Sequence, residues 1–186
     1  NASKLYKKQT AKLTDDDISP ILDDIKNSSS FSKIISYAQG FMLMKEASQQ
    51  FSWDLNYGNI ALMWREGCII RSVFLENIKT AFVNNEQLEN LLFDDYFKSV
   101  LEKTINSARR ISALAITHGI PAPSMTAAVS FFDGITSHRS PANLLQAQRD
   151  YFGAHTYERI DKKRGDFFHT DWIGSASGIS SSTYTV

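Results

Sequence analysis

Phe31, Ile34, Ile35, Ala38, Phe41 and Met42 recur at helical spacing, and this stripe constrains the fold more than any other stretch. A period near 3.6 gathers these side chains on one helical face, whereas the strand period of two would turn half of them to water. The spacing predicts one amphipathic helix over about 31–51. Gly40 inside it costs about 1 kcal/mol relative to alanine, which points to a close helix crossing there. A shorter helix is expected before it, opened by Ser19-Pro20 and fading in Asn27-Ser28-Ser29-Ser30.

The same period continues down the chain. Asn59 is placed to cap a helix over IALMWREG, after the turn Asn56-Tyr57-Gly58-Asn59. Ile70, Phe74, Ile78 and Ala81 then share a face of a helix over about 68–83, with a short helical turn after Asn85. Asp94 and Asp95 sit where a helix N-terminus favours negative charge. From there Phe97, Leu101, Ile105, Ala108 and Ala115 trace a long helix to His118, stopped by Gly119 and Pro121. Ser124 starts another, to about Ile135. Trp53, Trp64 and the Met42–Met44 pair read as core. The fold class is all-α, a helical bundle with an extended C-terminal tail, and 186 residues suffice for a sizeable core.

The ends differ from this body. Residues 1–13 are polar and basic, an expression remnant followed by a lead-in; 14–158 form the helical domain; 159–186 form the tail. Asp161 to Gly165 is a charged turn, and FFHTDW suits a short extended piece. The tail carries Phe167, Phe168, Trp172, Ile179 and Tyr184, more large apolar groups than a solvated end needs. It is expected to dock on another subunit.

Chemistry concentrates in QAQRDYFGAHTYE, Gln146 to Glu158. Ser140 suits an N-cap and Pro141 a first helical position, so a helix runs from there to about Tyr151, with Gly153 as its C′ residue. On a continuous helix Arg149 and His155 would lie about 120° apart. They face one ligand only if the helix ends between them. A planar, always-charged fork beside an imidazole suits a phosphate or a carboxylate; the bland alternative is an Arg149–Asp150 ion pair with a capping histidine.

Other chemistries find no footing in the sequence. Lys plus Arg balance Asp plus Glu at 20 each, which argues against a nucleic-acid partner drawn by bulk charge. There is no GxGxxG, phosphate loop or GxSxG. His118, His138, His155 and His169 lack metal-ligand spacing, and Cys68 stands alone, so no intrachain disulfide forms. No apolar run is long enough for a membrane span, and a cytoplasmic location is the expectation. Asp23-Asp24 and the other acidic pairs read as helix starts and surface, and Arg109-Arg110 as a surface or ion-pairing element.

SKIISYAQGFMLMKEA, LNYGNIALMWREGCIIRSVFLENIKTAF, LLFDDYFKSV and PANLLQAQRDYFGAHTYERIDKKRGDFFHTDW resemble, in this order, the C-terminal part of the helical domain of decarboxylating 6-phosphogluconate dehydrogenases. The resemblance runs from about Phe31 to Tyr184. It implies an enzyme of the pentose phosphate pathway that oxidises 6-phosphogluconate with NADP and releases carbon dioxide, giving ribulose 5-phosphate. The family's dinucleotide-binding domain, general-base lysine and general-acid glutamate match no string here. The resemblance thus implies a fragment without a catalytic residue, inactive by itself, that supplies dimer contacts and part of a substrate site. It assigns Arg149 and His155 to the substrate, reaching into the partner's active site. It implies a homodimer whose tail crosses to the other subunit, with Ser181, Ser182, Thr183 and Tyr184 against the cofactor. A non-catalytic all-α dimerisation module is the alternative when periodicity alone is kept.

Overall fold

A computed structural model describes residues 2–6, 14, 18–65, 69 and 72–174. Six helices of more than one full turn carry the described fold. They are α1 (Leu22–Gln50), α2 (Tyr57–Arg65), α3 (Leu75–Asn84), α4 (Asp95–Thr117), α5 (Pro123–Thr136) and α6 (Ala142–Gly153). A two-stranded antiparallel ribbon follows, β1 (Tyr157–Glu158) with β2 (Phe167–Phe168), registered Tyr157 to Phe168 and Glu158 to Phe167. The all-α expectation holds. The chain divides into two compact units, Asn1–Ile135 and Thr136–Val186.

In the first unit α1 packs on α4 and α2 on α3. Phe31, Ile34, Ile35, Ala38 and Phe41 are all buried, so the stripe that predicted α1 is the core face. Phe97, Leu101 and Ala108 answer it from α4, with Leu75 and Ile78 from α3. Aromatic edges join the layers: Phe41 lies 5.6 Å from Trp64, and Phe31 meets Phe132 of α5 at 5.4 Å. Trp64 and Met44 lean on this core as expected. Trp53 does not; it is exposed and stacks on Phe51 past the end of α1.

The expected break at Asn27 to Ser30 is absent, because α1 runs through it. Serine is a weak helix former, but tertiary packing overrides propensity. Ser28 and Ser32 are buried in α1, as are Ser107 and Ser112 in α4; such small side chains let two helices approach closely. Asp24 pins the first turn: its carboxylate accepts two hydrogen bonds of 2.6 Å from Arg110 and one of 2.7 Å from Ser107. The Arg110 hydrogen bond is the main reason the Asp24 pKa falls to about 2, with Ser107 adding to it. Arg109 pairs with Asp133 of α5. Both arginines are therefore inter-helix ties.

Gly40 marks no crossing: it lies on the exposed face of α1, and a Cβ added there meets nothing within 4 Å. The cap of α2 is Asn56, whose Oδ1 accepts from the Asn59 amide at 2.9 Å, so Asn59 is capped rather than capping. Ser72 to Phe74 are a turn, and α3 begins only at Leu75. Asp94 lies at the N-terminus of α4 as expected, and its carboxylate also caps the helix, accepting from Tyr96 and Phe97. Gly119, at φ 61°, closes α4 while the Ile120 amide reaches back to the Ala115 carbonyl at 2.7 Å, a Schellman ending.

Candidate functional site

Helix α6 begins where the sequence indicated: Pro141 has helical φ, and the Ser140 hydroxyl accepts from the Ala142 amide at 3.3 Å. Its end differs from expectation. Gly153 is the last helical residue, and the left-handed position falls on Ala154 at φ 50°. The glycine serves space instead of φ. The His155 ring folds back over it, and a Cβ on Gly153 would meet ring atoms Nε2 and Cδ2 at 3.1 and 3.2 Å. Thr156 is also left-handed, at φ 60°. His155 thus sits between two residues in a conformation that side chains with a Cβ rarely adopt, costing about 1–3 kcal/mol each.

Two side chains of α6 hold this turn. Gln146 donates through Nε2 to the Thr156 carbonyl, and its Oε1 accepts from Arg149 Nη1 at 3.3 Å. One amide therefore ties the guanidinium to the peptide after His155. Arg149 and His155 are both exposed, and the helix does end between them.

Asp150 is the second holder. It is fully buried and its four hydrogen bonds are divided evenly between its oxygens. Oδ1 accepts from the Thr156 amide at 3.0 Å and His169 Nδ1 at 2.9 Å. Oδ2 accepts from the Thr170 amide at 3.0 Å and the Trp172 indole at 2.9 Å. Burial alone would raise its pKa, but the hydrogen bonds from Thr170, His169 and Trp172 outweigh it and hold the carboxyl below its ordinary value. The carboxylate is charged at neutral pH, so His169 must present Nδ1–H to it. The Arg149–Asp150 ion pair weighed from the sequence is not formed, since Asp150 turns inward and Arg149 bonds Gln146.

The ribbon completes the unit. Tyr157 Oη and Thr170 Oγ1 are 2.6 Å apart, and the Glu158 carboxylate accepts from the Gly165 amide at 2.7 Å, closing the charged turn. Gly165, at φ 93°, is needed where that turn reverses. Arg159 pairs with Asp161 and covers the Phe168 ring at 5.5 Å. Between α6 and the ribbon lies a cleft of about 710 Å³, with His138, Arg139, Gln146, His155, Arg159 and Trp172 in its wall. Arg149 is outside that wall. Ser181, Ser182, Thr183 and Tyr184 lie outside the described residues.

Asp150, Gln146 and His169 were missed as organisers. For Asp150 a signal existed: a carboxylate in the last turn of a helix opposes the macrodipole, so it needs another reason to be there. His169 and Trp172 gave no local sign, because their partner is distant along the chain.

The sequence model described as "6-phosphogluconate dehydrogenase, C-terminal domain" matches residues 1–172. The chain belongs to this family. It is 55% identical over 185 residues, all of this chain, to the decarboxylating 6-phosphogluconate dehydrogenase of Aggregatibacter actinomycetemcomitans, and 61% over 155 residues to that of Haemophilus influenzae. The human enzyme of the same name is 54% identical over 98% of this chain. A solved Plasmodium falciparum 6-phosphogluconate dehydrogenase, studied apo, with its cofactor NADP+ and with its substrate 6-phosphogluconate, superposes with a TM-score of 0.84 at 41% identity over 92% of this chain. The chain spans 32–38% of the length of these relatives.

Proposed function

We propose that this chain is the C-terminal part of an NADP-dependent, decarboxylating 6-phosphogluconate dehydrogenase of the pentose phosphate pathway, acting in the cytoplasm. The identity of 55% along its whole length to an enzyme of that name carries the reading. In that enzyme 6-phosphogluconate is oxidised and decarboxylated to ribulose 5-phosphate, and NADP takes up the hydride. The residues of this chain supply binding. Arg149 offers two parallel N–H donors to phosphate oxygens, and His155 adds a donor from the other side of the helix end. The family resemblance assigns Ser181, Ser182, Thr183 and Tyr184 to the cofactor, and they are the contacts this chain is proposed to supply. The residues here complete a site whose bond-making groups lie elsewhere.

The second copy belongs to the same proposal. Leu144, Leu145, Phe152, Ile160 and Phe167 are each more than 60% exposed, and no described apolar side chain after Ala128 is buried. A homodimer in which the partner covers this face gives those groups the burial they lack. In the full-length enzyme, Leu144→Asp with Phe152→Asp should yield a monomer in sedimentation; an unchanged dimer would remove this face from the interface. A dimerisation module without chemistry would use the same face but would have no need of Arg149 or His155.

The deciding experiment is kinetic. Arg149→Ala in the full-length enzyme should raise KM for 6-phosphogluconate by about 10- to 100-fold, the size of one charge-assisted pair, with the fold intact. Arg149→Lys should recover little, since an ammonium cannot bridge two oxygens in a plane. Kinetics equal to the parent's in both variants would end the assignment.

A further inference from the structure

We propose that Asp150 is a positioning residue for substrate recognition, clamping the His155 turn and the 169–172 segment of the tail to the end of α6. This deepens, and rests on, the reading of Arg149 and His155 as the phosphate-binding pair. His155 is held between two left-handed residues, and such a turn persists only where the surroundings over-determine it. Both polar backbone groups of Thr156 are in fact taken by α6 side chains: its N–H by Asp150 and its C=O by Gln146. Gln146 also holds Arg149, so the pair shares one scaffold. The other carboxylate oxygen receives the Thr170 amide and the Trp172 indole. The Thr170–Trp172 segment of the tail is therefore fixed by the same group that fixes His155. A buried, fully satisfied carboxylate suits this role because four convergent donors define one geometry, and no apolar side chain could replace them.

The test is a double-mutant cycle in the full-length enzyme, reading KM and kcat for 6-phosphogluconate with H155A, D150N, W172F and the two doubles made on H155A. D150N keeps the shape but turns an N–H2 toward donors; W172F keeps an aromatic, though smaller, ring and removes one of the four donors. We expect D150N to raise KM about tenfold with a much smaller change in kcat, and W172F to raise it severalfold. On the H155A background each should add less than about twofold, because the group they position is gone. Effects that multiply on that background, or singles that leave KM unchanged while H155A raises it, overturn the positioning role. Should D150N fail to fold, the W172F cycle decides the same question. A normal KM for H155A and R149A would instead overturn the phosphate reading itself, an outcome visible without any Asp150 variant.

Discussion

Between Asn1 and Ile135 the buried side chains among those described are mostly Phe, Ile, Leu and Ala, with a few small polar residues, chiefly serines. Between Thr136 and Val186 the buried residue among those described is an aspartate. The first unit gains stability from apolar area, which is non-directional and tolerates some repacking. The second is organised by four hydrogen bonds converging on Asp150, which are directional and fail together. An apolar core fixes helices; a satisfied carboxylate fixes the exact path of a loop. The residues proposed to meet an anion stand on the second kind of support.

The comparison breaks most visibly at its largest element. Phe97→Ala removes a fully buried ring from the α4 face and should destabilise the first unit by about 3–5 kcal/mol in urea unfolding. A loss below about 1 kcal/mol would mean that α4 is not packed as described. In the second unit, Asp150→Asn should cost roughly 1–3 kcal/mol, as four converging donors lose their charged acceptor. That loss should be local, read as faster amide exchange at Thr156 and Thr170. Unchanged protection at both amides would show that the turn holds without the carboxylate.

Most of the first unit was legible because period and caps act locally: the stripe from Phe31 to Phe41 and the Asp94 cap needed no distant partner. Among the failures there, the break at Asn27 to Ser30 and the burial of Trp53 are places where tertiary packing decides, as is the crossing expected at Gly40. In the second unit Arg149, Gly153 and His155 drew attention as residue types, and the helix end between them was read correctly. The reason for Gly153 was not, since only coordinates show a ring over it. The clamp on Asp150 joins residues about twenty positions apart, and no periodicity encodes such a contact. The family resemblance supplied roles for Arg149 and His155, but not what holds them.

Acid and salt sharpen the contrast at smaller amplitude. Asp24 and Asp150 both have folded pKa values below the ordinary one, so each contributes stability that is complete above about pH 5 and is lost as pH falls through the folded value. For Asp24 that value is about 2. The stability difference between the parent and Asp24→Asn should therefore shrink between pH 5 and pH 2. It should shrink also on adding 1 M salt, because Arg110 is largely exposed and the pair is screened. The corresponding difference for Asp150→Asn should shrink with acid but much less with salt, since the carboxylate itself is fully buried. Equal salt sensitivity at both sites would mean that water reaches Asp150.

The smallest effect separates the units through two glycines. Gly40 lies in the middle of α1, and a Cβ there meets nothing within 4 Å, so Gly40→Ala should stabilise by up to about 1 kcal/mol through helix propensity alone. Gly153 closes α6, where the same gain is opposed by the His155 ring 3.1 Å from the added carbon. The ring is a movable side chain, so the clash is relieved by displacing it rather than by unfolding. Gly153→Ala should then change the unfolding midpoint little while shifting the His155 ring resonances, and in the full-length enzyme it should raise KM for 6-phosphogluconate. If Gly153→Ala instead stabilised as much as Gly40→Ala and left the His155 resonances in place, the ring would not rest over the helix end. The glycine would then make no room for the ring, and the second unit would lose the contact that makes its turn specific.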